Sequence, residues 1–137
     1  MKKRIFLDTN IVIDYLANRQ PFAEDAYQIF IQSEMPDIEL CISALSFTTI
    51  YYVLRKECGH QQLLELLEKL RSLVIVLPTG NDVIKKALES KFSDFEDAVQ
   101  YYTAIAGASD SIITRNVKDY TLSQIEVLTP AQFLKKS

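Results

Sequence analysis

An apolar segment that ends at a carboxylate is the first feature of this chain that could do chemistry. Ile5-Phe6-Leu7 is followed directly by Asp8, and apolar residues resume at Ile11. A buried strand that ends in an aspartate and passes into a helix places that aspartate at the carboxyl edge of a sheet, where open α/β folds bind their ligands. A carboxylate in such surroundings needs a counter-charge, and a divalent cation with oxygen ligands would supply one.

A second group of acids opens a later helix. Asp94 and Asp97 are three residues apart and share a helix face, whereas Glu96 points elsewhere. Acids in a first helical turn are also favoured by the helix dipole alone, and for Asp94 and Glu96 this structural role is the commoner one. One or both aspartates of this helix could still meet Asp8 across a cleft.

A third polar segment follows a later predicted strand and runs from Asn116 to Asp119. Asp119 in such a loop is more often a turn residue than a ligand, and Asp14 in the first helix could face either the cleft or solvent. If the acids converge with Asp8 at one sheet edge, their oxygen-only ligands favour Mg²⁺ or Mn²⁺ over Zn²⁺. Such a metal holds a phosphodiester and activates a water for in-line attack.

Other catalytic sets are missing from the sequence. His60 is the only histidine, and we expect it to be a solvated loop residue, so a zinc site and a Ser-His-Asp triad have no support. The chain has three glycines and no glycine-rich phosphate loop. A net charge of −3 argues against a general nucleic-acid coat but not against a nucleic-acid enzyme.

The composition is that of a globular protein, with 48% hydrophobic and 24% charged residues. Residues 1–137 predict a single domain. Cys41 and Cys58 lie in apolar segments and are expected to be reduced thiols. We find no signal peptide and no apolar stretch near the length that spans a membrane, and therefore expect a cytoplasmic protein.

Predicted strands alternate with predicted helices almost throughout, which favours a parallel or mostly parallel sheet with helices on both faces. The strands are predicted at residues 3–7, 39–43, 74–77, 111–114 and 125–128. The β-branched third segment predicts a buried strand. The helices are predicted at residues 11–18, about 22–33, about 46–58, 61–73, 83–90 and 94–106, with a turn or helix from 129. Ser93 and Glu96 have the spacing of a capping box.

Four motifs, in this order along the chain, make it resemble a PIN domain, the fold of Mg²⁺-dependent ribonucleases that includes VapC-type toxins. They are Leu7-Asp8-Thr9-Asn10, Ser43-Ala44-Leu45-Ser46, Asp94-Phe95-Glu96-Asp97-Ala98 and Thr114-Arg115-Asn116-Val117-Lys118-Asp119-Tyr120. The resemblance implies a three-layer α/β/α sandwich with a mostly parallel central sheet of about five strands. It also implies an acid cluster that holds Mg²⁺ or Mn²⁺ for phosphodiester cleavage.

The resemblance also assigns roles to the acids. Asp8 matches the first acid of the family motif, and Asp97 matches the main acid of the late helix, with Asp94 assisting. The final polar position falls on Asn116 or Asp119, and Asp119 is counted with the catalytic acids. The chain departs from the family where a glutamate is usual early in the third helix, because Thr49 stands there. Asp94 or Asp14 would then have to substitute for that charge.

The function implied is an endoribonuclease that acts as a toxin held in check by a cognate antitoxin. The residues expected to contact RNA are Asn10, Thr114, Arg115, Asn116 and Lys118, with Arg55 and Lys56. A homodimer through the helix at 61–73 and the tyrosines is expected, although that helix packed only on its own core is an equal alternative. Two further functions stay open: a PIN-like module that binds RNA or protein without cutting, which Thr49 favours, and a phosphoacceptor receiver domain, which the missing acid pair disfavours.

Overall fold

A sheet of five parallel strands forms the centre of the protein in a computed structural model, which describes residues 2–136. The strand order is β3-β2-β1-β4-β5, and every pairing is parallel. The strands are β1 Lys3–Leu7, β2 Ile38–Ser43, β3 Ile75–Leu77, β4 Ser111–Ile113 and β5 Glu126–Leu128. The predicted mostly parallel five-stranded sheet is confirmed, with the first strand at its middle.

Helices connect the strands and cover both faces of the sheet. They are α1 Thr9–Leu16, α2 Ala23–Gln32, α3 Ala44–Leu54, α4 His60–Leu73, α5 Asn81–Glu89, α6 Phe95–Ala106 and α7 Pro130–Lys136, with a 3₁₀-helix at Val117–Tyr120. Each predicted helix is present, with ends that differ by a few residues. Within residues 2–136, no helix has the length and apolar character needed to cross a bilayer.

The alternation of side chains along β1 divides the core into two layers. Ile5 and Leu7 pack into the larger cluster, with α1, α2, α3, α4 and α7. Phe6 points to the opposite face and packs with Tyr101 of α6. These two clusters confirm the predicted three-layer sandwich.

Three local expectations are wrong. The strand β3 lies at the sheet edge and pairs with β2, so Val76 is 36% exposed and the strand is not buried. The N-cap of α6 is Asp94, which accepts the Asp97 amide at 3.0 Å, and not Ser93. His60 is the first residue of α4, and its Nδ1 lies 2.8 Å from the Tyr51 hydroxyl. Both cysteines are free thiols, as expected.

Backbone hydrogen bonds extend the pairing past the carboxyl ends of the strands. The Asp8 amide donates to the Ile113 carbonyl at 3.0 Å, and the Thr114 amide donates to the Leu128 carbonyl at 3.0 Å. Residues that immediately follow β1 and β4 are therefore neighbours across this edge. The fold brings Asp8 and Thr114 together although they are far apart in sequence.

Candidate active site at the carboxyl edge of the sheet

Asp8 turns its side chain away from the helix that it precedes. It occupies the N-cap position of α1 with an extended backbone, but its side chain makes no capping hydrogen bond. Instead Oδ2 accepts a hydrogen bond of 2.8 Å from the Thr114 hydroxyl. The Thr114 side chain is fully buried. Asp8 is therefore oriented across the edge between β1 and β4, which is the orientation that a ligand-binding carboxylate requires and a plain cap does not.

The environment of Asp8 disfavours its charge. Burial raises the pKa of Asp8 and is the largest influence, the hydrogen bonds from Thr114, the Thr9 backbone and Gln100 lower it, and the charge of Asp119 raises it. The net direction is upward. The Asp8 carboxylate is thus held in position by donors that only partly compensate for its loss of solvent.

A buried set of polar side chains joins three helices beside Asp8. Gln100 of α6 donates from Nε2 to the Thr9 hydroxyl at 3.1 Å, and the Thr9 and Ser46 hydroxyls are 2.7 Å apart. All three side chains are more than nine-tenths buried. Satisfied polar contacts of this kind fix the relative positions of α1, α3 and α6. Sequence analysis missed Gln100, whose only signal was its place one turn after the acids of α6.

Asp97 is a second carboxylate of the acid group with a raised pKa. Burial raises its pKa first, and the charges of Asp94, Asp119, Asp8 and Glu96 raise it further, to about 7. Four acids drawn from three separate segments therefore act on one carboxyl group. Among these charges, those of Asp8 and Asp119 come from the other two predicted segments, and a carboxyl group perturbed in this way is typical of functional sites.

The charges of the acid group also act on the neighbouring Tyr120. It is 2% exposed, and burial together with the charges of Asp8, Asp97 and Asp119 raises its pKa strongly. The 3₁₀-helix Val117–Tyr120 brings Asp119 to this position, where its side chain is exposed. Asp119 thus contributes charge from the solvent side of the acid group.

The acid group has the chemistry of a hard-cation site. Its donors are oxygen atoms, and burial and the neighbouring acids raise the pKa of Asp97, so a bound dication would offset the repulsion at this carboxylate. In residues 2–136, however, no three His, Cys, Asp or Glu side chains form a ready-made metal-binding group. Asp8 is held by Thr114, and Asp94 is held by its own helix terminus. The residues fit Mg²⁺ or Mn²⁺ by donor type and charge.

A cavity of about 230 Å³ between α3 and α6 is lined by Thr9, the residue after Asp8, and by Ser46. Thr49 lines this cavity, and Glu96 lies on its α6 wall together with Gln100. Glu96, expected to point away from the face shared by Asp94 and Asp97, thus shares a cavity with Thr49. Asp14, one of the expected substitutes, is instead 1% exposed and paired with Arg115 at 3.1 Å.

The residues predicted to contact RNA fall into two groups. Asn116 and Lys118 are exposed and Asn10 is half-buried. Thr114 is buried against Asp8, and Arg115 lies between Asp14 and an aromatic ring, so these two are engaged within the protein. RNA contact stays a prediction for all five.

Known proteins with a similar sequence or fold include a ribonuclease and a toxin–antitoxin complex. The chain is 29% identical to Ribonuclease VapC1 of Aquifex aeolicus over 98% of its own length and 95% of that protein. The fold is similar to DNA-bound VapBC from Salmonella typhimurium, with TM-score 0.70, 18% identity and coverage of 95% of this chain and 99% of the other. It is also similar to a toxin–antitoxin complex from Klebsiella pneumoniae, with TM-score 0.69, 22% identity and coverage of 92% and 97%. A PIN domain family model matches residues 4–118, and the chain therefore belongs to the PIN domain family.

Proposed function

We propose that this protein is a metal-dependent endoribonuclease that uses Mg²⁺ or Mn²⁺. The observation that carries the proposal is the grouping of Asp8, Asp97 and Asp119, in which burial and the charges of Asp119 and Asp8 raise the pKa of Asp97. A relative that aligns over nearly the whole chain is named a ribonuclease, which supports RNA as the substrate.

In this proposal each acid has a separate task. Asp8 and Asp97 hold the cation, and Asp94 adds negative charge from the helix terminus that it caps. Asp119 is exposed and adds negative charge at the solvent side of the acid group. A dication bound here would stabilise charge on the phosphate and lower the pKa of the attacking water. Thr114 keeps Asp8 turned toward the site through its 2.8 Å hydrogen bond.

Contacts to the RNA backbone must come from local cations, because the chain as a whole has a net charge of −3. Lys118 and Asn116 lie exposed in the same loop as Asp119. Arg55 and Lys56 are exposed beyond the end of α3, where Arg55 stacks on the Tyr52 ring at 4.0 Å. We assign these residues and Asn10 to substrate binding.

We further propose that the protein is a cytoplasmic toxin held in check by an antitoxin and that it forms a homodimer. The antitoxin proposal is supported by similar folds in structures titled as toxin–antitoxin complexes. For the dimer, α4 offers exposed leucines, with Leu64 and Leu73 more than 40% exposed. Static light scattering of the purified chain tests the dimer, and co-expression with the product of an adjacent small gene tests the antitoxin.

Cleavage of a labelled RNA pool by the purified protein tests the enzyme. Cleavage should stop with EDTA and return with excess Mg²⁺ or Mn²⁺. Asp97→Asn should abolish cleavage. The control is Asp82→Asn, the same substitution in the first turn of α5, which should not affect cleavage because Asp82 is not one of the acids that act on Asp97. Metal-independent cleavage, or full activity of Asp97→Asn, would overturn the assignment.

A binding module that does not cut RNA is the second candidate, and the uncharged Thr49 is the observation that favours it. Calorimetry distinguishes the two. Binding of Mn²⁺ that is lost in Asp97→Asn supports the enzyme, whereas RNA binding without any metal binding supports the module.

A further inference from the structure

The loop that follows β4 carries two residues of the acid site but has little secondary structure to hold it. Thr114, which orients Asp8, and Asp119, which adds charge, are both in this segment. The strand before it has three residues, and the 3₁₀-helix within it has four. Short elements supply few backbone hydrogen bonds, so side-chain contacts must fix the position of this loop.

Arg115 supplies such contacts from the centre of the loop. Its Nε lies 3.1 Å from Oδ2 of Asp14 on α1, and its Cζ lies 4.1 Å from the centroid of the Phe22 ring. The Asp14 side chain is 1% exposed, and that of Arg115 is 27% exposed. The planar guanidinium is thus held between a buried carboxylate and an aromatic face, an arrangement that suits arginine and not lysine.

The buried carboxylate of Asp14 depends on Arg115 for compensation. Among the described residues, neither oxygen of Asp14 has a hydrogen-bond partner, and burial raises the pKa of Asp14 while the charges of Arg115 and Arg19 lower it. A buried charge without hydrogen bonds is costly unless an opposite charge stays beside it. The carboxylate therefore draws Arg115 inward and away from solvent.

The residues on either side of Arg115, Thr114 and Asn116, connect it to the acid site. Thr114 donates its hydroxyl to Asp8 at 2.8 Å, and the same oxygen accepts the Asn116 amide at 3.1 Å. Arg115 is thus bonded directly to the residue that orients Asp8 and to the residue whose amide contacts the same Thr114 hydroxyl. Asp14 itself lies on α1, the helix that begins immediately after Asp8.

We propose that Asp14, Arg115 and Phe22 form a clamp that positions the 114–119 loop against Asp8, so that Arg115 is a positioning residue and not an RNA contact. The clamp rests on the proposed nuclease function for its catalytic consequence. Its structural consequence, a loop fixed to α1, stands without that function. The two parts are tested by different readouts.

The test compares Arg115→Met with Lys118→Met, which makes the same loss of a cation in the same loop at an exposed side chain. For Arg115→Met we expect kcat to fall about tenfold or more with KM nearly unchanged, because the loss is one of orientation. For Lys118→Met we expect KM to rise with kcat nearly unchanged. If Arg115→Met raises KM alone, Arg115 is an RNA contact and the clamp is wrong.

Hydrogen exchange in the metal-free protein supplies a readout that does not depend on cleavage. Arg115→Met should speed exchange of amides 114–120 while the buried part of α4 around Leu63 and Leu70 stays protected. Lys118→Met should leave both regions as in the wild type. Equal loss of protection in α4 would show a general loss of stability and would overturn the clamp.

Two milder variants cover the case in which Arg115→Met does not fold. Arg115→Lys and Asp14→Asn should each loosen the loop, with Arg115→Lys partly retaining kcat because it keeps the charge without the planar group. Glu39→Gln, which removes the Arg4–Glu39 pair of 3.4 Å, is the control and should leave loop exchange unchanged. If the wild type cuts no RNA, the nuclease proposal fails, and exchange alone still decides the clamp.

Discussion

The charged residues at the two ends of the central strand β1 have opposite environments. At the amino end, Arg4 lies 3.4 Å from Glu39, donates to the Gly107 carbonyl at 2.7 Å, and gives its amide to Asp110 at 2.8 Å. At the carboxyl end, burial and, to a smaller extent, the charge of Asp119 raise the pKa of Asp8. One end is neutralised within the protein, whereas the other is left with excess negative charge.

This difference separates acids that stabilise the fold, at the amino end, from acids that could bind a ligand, at the carboxyl end. The amino-end acids Glu39 and Asp110 each have a partner on Arg4, the guanidinium for Glu39 and the backbone amide for Asp110. At the carboxyl end, burial and the neighbouring acids raise the pKa of Asp97 to about 7, so its folded environment opposes ionisation. Carboxylates perturbed in this way are common at functional sites, and the cation that we propose would supply the missing positive charge.

The largest expected effect is on cleavage. Asp8→Asn preserves the acceptor for Thr114 but removes the charge, and we expect single-turnover cleavage to fall by at least about 100-fold. Asp110→Asn makes the same change at the amino end of the sheet and should alter cleavage by less than about twofold. Comparable losses in both variants would show that the two ends do not differ in the proposed way.

The next effect is on stability at the amino end. Arg4→Met removes the hydrogen bond to the Gly107 carbonyl and the pair with Glu39, and should lower the free energy of unfolding by about 1–2 kcal/mol. Urea denaturation measures this change. Cleavage per folded molecule should stay at the wild-type level, and a specific loss of cleavage would contradict the separation between the two ends.

At the carboxyl end, removing a charge should raise the free energy of unfolding and not lower it. Asp97→Asn removes a charge that its neighbours repel, so the metal-free protein should become more stable, by roughly 0.5–1 kcal/mol once solvent screening is allowed for. Thermal unfolding in EDTA measures the change, with Asp82→Asn as a control that is also in the first turn of a helix. A destabilised Asp97→Asn protein would mean that repulsion is not the dominant influence on this carboxylate.

The smallest effect is a pH dependence of stability. Because the folded-state pKa of Asp97 is raised from 3.8 to about 7, the folded protein binds more protons than the unfolded chain between these values. The contribution of Asp97 to stability should therefore be present at low pH and decline as pH rises from about 4 to about 7. Denaturation midpoints in EDTA should show this decline in wild type and less of it in Asp97→Asn. Saturating Mg²⁺ should reduce the decline, and a rise with pH in EDTA would contradict it.

Much of the fold could be predicted from local patterns. The run from Ile5 to Leu7 has the hydrophobicity of a buried strand, and the leucines of α4 have helical spacing, so both elements were predicted to within a residue. The edge position of β3 could not be predicted, since Val74 to Leu77 looks equally apolar in a central or an edge strand. Strand order depends on long-range pairing and not on the strand's own residues.

The candidate site was predicted less completely than the fold. Asp8 was identified because an acid between apolar runs is costly anywhere except at a functional edge or a cap. Glu96 and Gln100 were not placed in the site, because the side of α6 that faces α3 depends on how the two helices pack. Arg115 was predicted to contact RNA because it is a cation in a polar loop. Its pairing with the buried Asp14 could not be predicted, because it depends on how the loop packs against α1.

The sequence by itself determined the alternation of strands and helices, the family, and the presence of acids at strand and helix ends. Those features depend on hydrophobic period and on residues close together in the chain, which local sequence specifies directly. Only the tertiary structure decided which acids repel one another and which one is neutralised by Arg115. Charges act through space and through the solvent that surrounds them, and both are set when distant segments meet at one edge of the sheet.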